Sequence, residues 1–316
     1  MAELLLIKER LREIYGRYEI FITPVLKFIL ALITYLVINK RLGYMENLAN
    51  PVLAIMMALV NAFLPVNIII LFAAAIICLH LYRLSIIAAA IAVLFFTILF
   101  LIFLRFSSDS AVAVIFAPLF FVCHIPYVLP ICLGLVSNPL SALSAACGIA
   151  VYFFLSYMTA NESAIQNPGD LPLADQVRSI ISGIVSDKTV LVYVITFAVT
   201  VVVVYIIRRL SINYAWYIAI ASGAVFEIIT MLFAGAALNV KVSVPSVLLG
   251  VLLAIIIALI LQFFLFSVDY TRTEYVQFED EEYYYHVKAV PKLMVSATDK
   301  QVKRISRARV RAHDRD

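Results

Sequence analysis

Residues 111–136 read AVAVIFAPLFFVCHIPYVLPICLGLV, and how this stretch is read decides the fold. It carries no charged side chain except a titratable histidine, His124, and is longer than the about 20 apolar residues a helix needs to cross a hydrocarbon core. It also holds Pro118, Pro126 and Pro130. A proline inside a helix removes a backbone donor and crowds the carbonyl four residues earlier, so a kink or a break is predicted here. Broken backbone at membrane depth is tolerated only inside protein or beside a water-filled cavity. Two readings stand: a discontinuous helix lining a substrate path, or a structural helix with a proline kink.

Working outward, the whole chain is of the same kind. Of its 316 residues 64% are hydrophobic and only 14% charged, against about 25% charged in soluble domains. Long apolar runs exclude a transmembrane barrel, whose strands would be short and alternating. The expected fold is an all-α polytopic membrane protein with about nine transmembrane helices, near residues 21–39, 48–65, 67–82, 84–104, 111–136, 140–160, 189–207, 214–237 and 244–268. The pair 48–65 and 67–82 is short, hinges at Pro65, and also fits a re-entrant pair. The four cysteines lie in apolar runs and give neither a disulfide framework nor metal-finger spacing.

Before the first span, Leu4, Ile7, Leu11, Ile14, Tyr18 and Phe21 recur at helical spacing opposite Lys8, Glu9, Arg10, Arg12, Glu13 and Arg17. Residues 1–22 are therefore expected to form an amphipathic helix that ends near Pro24. It lies either in the membrane interface or on the bundle's own surface. Residues 23–268 form the helical bundle. Within it the loop 161–188 contains a second amphipathic stretch, Leu173, Val177, Ile180, Ile181 and Ile184, with Asp170 and Pro172 as helix-start residues. That stretch reads as a lid or a connector at the outer surface.

Alternation of nine spans puts Lys40–Arg41, Arg83 and Arg208–Arg209 on one side, together with the C-terminal tail, and the positive-inside rule makes that side cytoplasmic. The same alternation strands Lys8, Arg10, Arg12 and Arg17 on the other side, a conflict that a re-entrant segment would remove. "LVINKRL" (36–42) and "VYIIRRL" (204–210) end their spans alike, as a parallel duplication would.

Few residues carry chemistry. Glu227 sits well inside 214–237, where a carboxylate costs at least a few kcal/mol unless it is protonated, paired or facing water. It is read either as a proton or cation site or as the partner of Lys27, His80 or His124. His124, Pro126 and Pro130 in the broken segment, Lys27 near a span end and Asn61, a hydrogen-bonding side chain, complete the candidates for a transport path. Cys123 and His124 are adjacent and diverge on a helix, so no metal site or other cofactor is expected. No G-x-S-x-G, H-E-x-x-H or phosphate-loop pattern occurs and the aspartates of the span region lie in loops, so no enzyme is expected.

The tail, residues 269–316, holds 19 of the 44 charges. Tyr275, Gln277 and Glu279 alternate with Val276 and Phe278, Asp280–Glu281 can turn, and Tyr283, Tyr284 and Tyr285 open a second strand. A short cytoplasmic hairpin is predicted. A lone two-stranded hairpin is marginal in water and needs a surface, which the tyrosines would meet on lipid or on a protein partner. Beyond it Lys300, Lys303, Arg304, Arg307, Arg309 and Arg311 form a polybasic run suited to anionic lipid, each worth about 1 kcal/mol at a membrane surface; without interleaved aromatics, nucleic acid is not the expected partner.

The segment "TEYVQFEDEEYYYHVKAVPKL" (273–293) resembles the tail of a family of uncharacterised polytopic membrane proteins of anaerobic bacteria, some of them loosely labelled permeases. The resemblance implies a bacterial plasma membrane. No E-A-A-x-x-x-G pattern, which many importer permeases offer to an ATPase, is present. The function expected is transport of the permease type; the alternative is a non-transporting scaffold that recruits cytoplasmic or envelope proteins through the tail. A lipid-modifying enzyme is a weaker third reading.

Overall fold

The computed structural model describes residues 2–107, 110–167, 172–266, 268 and 273–291. Asp109, Asp170 and the six basic residues from Lys300 to Arg311 lie outside the described residues. The chain divides into two units, residues 18–267 and residues 1–17 with 268–316.

The larger unit is a helical bundle. Among the described residues seven helices are long and apolar enough to cross a membrane. They are α1 (Ala2–Leu42), α4 (Val66–Leu84), α5 (Ile86–Phe106), α8 (Ser141–Ala160), α11 (Lys188–Arg208) with its extension α10 (Leu173–Ser186), α12 (Ala215–Leu238) and α13 (Val244–Leu265). The protein is a multi-pass helical membrane protein.

The two remaining apolar segments take other forms. Residues 46–62 fold as α2 (Glu46–Ala49) and α3 (Pro51–Ala62), separated by Asn50, whose side chain caps α3 by accepting from Val52 N at 2.9 Å. Proline at the first position of α3 suits that start. Residues 111–136 fold as α6 (Ala111–Val122) and α7 (Val128–Val136), parted by a turn in which His124 adopts φ 59°.

That turn reverses the chain. The two ends of the segment meet: the Ser110 and Ser137 hydroxyls lie 3.1 Å apart, Ser107 donates to Leu140 O at 2.9 Å, and Ser144 donates to Ser107 Oγ at 2.7 Å. Residues 110–137 therefore form a helical hairpin whose two ends meet. At 12 residues α6 is about 18 Å long, short of a hydrocarbon core of about 30 Å.

Hydrogen bonds between loops fix which helix ends lie together. Met45 N donates to His80 Nδ1 (3.2 Å), Tyr44 Oη reaches Glu162 Oε2 (3.4 Å), and Ser85, Asn161 and Gln176 line one cavity. The ends of α1, α4 and α8 thus share one end of the bundle with the short α9 (Glu162–Gln166) and α10. The opposite end holds the base of the hairpin, where Arg208 donates to Ser137 O at 2.7 Å, and Trp216 stacked on Phe266 at 4.8 Å. Arg208–Arg209 therefore lie opposite Lys40–Arg41 and Arg83, not beside them as simple alternation required. α1 and α11 end at opposite ends of the bundle, which removes the parallel duplication.

A second correction concerns Pro24. It sits inside α1, and the helical dihedrals break instead at Tyr18 (φ −117°, ψ 21°). Proline deletes only its own donor, a loss a long helix can carry; the backbone gives way where the amphipathic stretch meets the apolar one.

In the smaller unit β1 (Glu274–Glu279) pairs antiparallel with β2 (Tyr284–Ala289), Val276 opposite Val287 and Phe278 opposite Tyr285. The Phe278 and Tyr285 rings stack at 4.9 Å. Asp280 builds the turn: its Oδ1 accepts from Glu282 N (2.9 Å) and Tyr283 N (2.7 Å), and its Oδ2 from Tyr285 Oη (2.8 Å). These bonds hold the carboxyl of Asp280 below its ordinary range.

Candidate functional site

The hairpin is seated by close backbone approaches. A Cβ on Gly148 of α8 would lie 2.6 Å from Ala117 Cβ and 2.7 Å from Val114 O of α6; one on Gly134 of α7 would lie 2.6 Å from Val204 Cβ of α11. Gly250 of α13 lies against the Tyr127 ring, and Gly223 of α12 against Val204. Glycine has no side chain to hold these backbones apart, as small residues do at membrane helix contacts. Pro126 and Pro130 are buried at the inner limb, with Tyr127, Val128 and Ile131 in one core with α11, α12 and α13.

Glu227 lies halfway along α12, fully buried. Among the described residues neither of its carboxylate oxygens has a hydrogen-bond partner. Its electrostatic neighbours are Tyr127 and Cys132, both on the hairpin. The surrounding core includes Ile220, Ala224, Met231, Val251 and Ala254, and on the facing α11 the buried Thr196 donates to Met231 Sδ while the buried Thr200 hydroxyl has no bonded partner. α7 and α13 carry no charged residue, α12 carries no other, and α11 is charged only at Lys188 and Arg208, near its ends.

The partners considered for Glu227 are engaged elsewhere. Lys27 donates to Leu64 O at 3.1 Å. His80 is fully buried between Asn39 Oδ1 (3.1 Å) and Met45 N; because Nδ1 accepts from that amide, Nε2 carries the proton and donates. His124 is exposed at the tip of the hairpin beside the exposed Cys123. Asn61 bonds Tyr35 Oη (2.8 Å) and Met57 O (2.9 Å), tying α3 to α1. Of the six path candidates the structure gathers His124, Pro126 and Pro130 on the hairpin, with Glu227 facing its inner limb; Lys27 and Asn61 belong to the α1–α3 contact. Tyr283, Tyr284 and Tyr285 are exposed on the separate hairpin of the smaller unit.

Composition alone hid Arg41. At a span end it read as a loop charge, but its guanidinium lies 4.7 Å from the centre of the Tyr152 ring and 3.4 Å from its hydroxyl, deep along α8. It lines a cavity of about 60 Å³ with Thr34, Ile115, Pro118, Val122 and Tyr152. A second cavity, about 340 Å³, lies under α10 among Ser85, Tyr157, Asn161 and Ser179. Glu227 lines neither.

Among the described residues no three histidine, cysteine or acidic side chains come together as a metal site. No family model, no curated protein and no solved structure matches the chain.

Proposed function

We propose that this chain is a transport protein of a bacterial plasma membrane, without enzymatic activity, in which the re-entrant hairpin and Glu227 form an ion-coupling site. One observation carries the reading: a fully buried carboxyl group with no bonded partner faces the inner limb of a helix broken within the bundle. An unpaired charge there costs several kcal/mol, so the group persists only if it is neutral in this state and reaches water in another. A structural carboxylate would have its partner in place. Discontinuous helices are also where transporters build midplane sites.

The proton suits this site better than a metal cation. A hard cation such as calcium needs about six or more oxygen ligands, whereas among the described residues no polar atom lies within hydrogen-bond distance of either Glu227 oxygen. Dicyclohexylcarbodiimide, which modifies protonated carboxyls in apolar surroundings, should label Glu227 in the detergent-solubilised protein and leave Glu227→Gln unlabelled. Proteoliposomes should then move protons on addition of a substrate-containing metabolite fraction, and the variant should not. No labelling, or equal proton movement by both proteins, refutes the reading.

The topology proposed has eight crossings and one hairpin. Residues 46–64 and α4 each cross once, the hairpin enters and leaves at one face, and both chain ends then leave the bundle on the cytoplasmic side. Lys8, Arg10, Arg12 and Arg17 fall on that side with Arg208–Arg209, as the positive-inside rule requires. Reporter fusions at residues 1 and 316 should give the same sidedness, and a fusion in 161–188 the opposite.

A scaffold role has one observation in its favour: no residue of β1 or β2 is buried. If tail recruitment is the function, removing residues 270–316 abolishes it and releases a stoichiometric partner, while the bundle still elutes as a folded species.

A further inference from the structure

Arg41, in the last turn of α1, borders a slot that runs back into the bundle. Thr34, Ile38 and Arg41 line it along one face of α1, so it extends about 10 Å beside that helix. Its far walls include Ala74 of α4 and Ile115 and Pro118 of α6, and its volume is about 60 Å³, which makes it narrow for its length. The walls are hydrocarbon except at Thr34, Arg41 and Tyr152. The Thr34 hydroxyl is bonded to Leu30 O at 2.7 Å, which leaves Arg41 and Tyr152 as the polar end. Stacking on Phe121 at 4.6 Å holds the Tyr152 ring. The guanidinium lies 4.7 Å from the centre of that ring and donates to its hydroxyl at 3.4 Å. Among the described residues Arg41 forms no other bond, so its remaining N–H donors have no protein partner. No acidic residue lines the slot. α4, α5, α6 and α8 carry none, those of α1 lie at Glu19 or earlier, and Glu46 and Glu162, at the same end as Arg41, are exposed.

We infer that this slot is a binding site for a short straight-chain monocarboxylate, acetate to butyrate in length. The carboxylate sits on Arg41 and Tyr152, and the hydrocarbon chain runs toward Thr34. A cation turned into an apolar bundle without a counter-charge calls for an anion. The planar fork of a guanidinium matches a carboxylate in two parallel bonds, and the Tyr152 hydroxyl, which accepts from Arg41, still has its own proton to donate. One cation balances one negative charge, and nothing along the slot pairs a second, which selects against phosphate and sulfate. The rest of the surface selects the chain. Bicarbonate would set a hydroxyl against hydrocarbon and chloride would leave that surface uncovered, whereas methyl and methylene groups cover it. Width sets the upper limit. An apolar cavity of about 150 Å³ admits benzene, so a slot of about 60 Å³ admits an unbranched chain of a few carbons and excludes a ring. Glu227 does not line the slot, so this site stands without the ion-coupling reading.

Equilibrium dialysis of radiolabelled butyrate against the full chain in dodecyl maltoside, at neutral pH, tests the site. Saturable binding is expected, with propionate and then acetate competing less well, by about fourfold for each methylene removed. Inorganic phosphate and the branched pivalate should not displace butyrate. Arg41→Gln should weaken binding roughly tenfold or more, the scale of a lost charge-assisted hydrogen bond. Arg41→Lys keeps the charge without the fork and should recover only part of that loss. Tyr152→Phe, which keeps the ring contacts, should weaken binding severalfold, and the exposed Lys40→Gln should bind as the wild type does. Ala74→Val narrows the slot and leaves Arg41 in place, so it should shift the preference from butyrate toward acetate, a change of selectivity that an unfolded chain cannot show. Any one of four results overturns the site: no saturable binding by the wild type, equal affinity for acetate and butyrate, displacement by phosphate, or unchanged binding in Arg41→Gln.

Discussion

Gly148→Ala is the sharpest structural test of the seated hairpin. The added methyl carbon would lie 2.6 Å from Ala117 Cβ and 2.7 Å from Val114 O, about 1 Å inside normal contact. Neither atom is the far end of a flexible side chain, so α6 as a whole must move away from α8. Overpacking of this kind costs about 1–3 kcal/mol. Alanine's helix propensity returns about 1 kcal/mol, which leaves a net loss of up to about 2 kcal/mol. For a chain of this size that lowers the melting midpoint by up to about 6 °C, read as the fraction remaining monodisperse after heating in detergent. Gly16, where an added Cβ meets nothing within 4 Å, serves as the reference: Gly16→Ala should leave the midpoint unchanged or raise it. Adding Ala117→Gly to Gly148→Ala removes the methyl–methyl clash and should restore part of the loss. If Gly148→Ala melts at or above the wild type, the close approach of α6 and α8, and with it the hairpin's seat, is refuted.

Three more outcomes follow from the same geometry. His80→Phe strips partners from Asn39 and from the Met45 amide; at about 1–3 kcal/mol for each polar group left unpaired, it should lower the midpoint by several degrees, and an unchanged midpoint would show that these bonds do not form. Asp280 has its folded pKa depressed, so its support of the turn is complete above the ordinary carboxylate value of about 3.9 and disappears as pH falls through the depressed value; Phe278 and Tyr285 ring shifts in NMR should change over that acid range in the wild type and stay flat in Asp280→Asn. Maleimide applied to the folded protein should label exposed Cys123 ahead of buried Cys147, and equal labelling of the two would place the hairpin tip inside the core.

The sequence carried the class of the fold without ambiguity, because hydropathy is a sum over residues and needs no partner. It also carried the tail hairpin nearly to the residue, since Asp280 and the alternation around it act locally. The break in 111–136 was legible from its prolines, but not its direction. A proline says that a helix cannot continue; whether the next segment goes on or turns back depends on what each limb packs against. Here that is decided by Gly148 and Gly250 on two other helices and by Gly134 on the inner limb, which meets Val204 of α11. Glu227 was legible as an expensive residue. Its isolation was not, because its loneliness depends on where Lys27, His80 and His124 find their own partners.

The charge conflict near the N-terminus has the same origin. Counting 111–136 as a crossing changes the parity of every segment after it, and that count puts Arg208–Arg209 beside Lys40–Arg41 where the bundle holds them at opposite ends. The bonds between Ser107, Ser110, Ser137 and Leu140 bring the ends of that segment together, and the eight-crossing topology proposed above counts it as a hairpin. Under the proposed topology the basic N-terminal residues, Arg208–Arg209 and the tail then agree, and the exceptions are Lys40, Arg41 and Arg83. Arg41 is a special case, since its guanidinium turns inward onto Tyr152 and is not presented in a loop. A charge drawn into the bundle is not presented at the membrane face, and the positive-inside rule, which counts charges flanking the membrane, should not be applied to it.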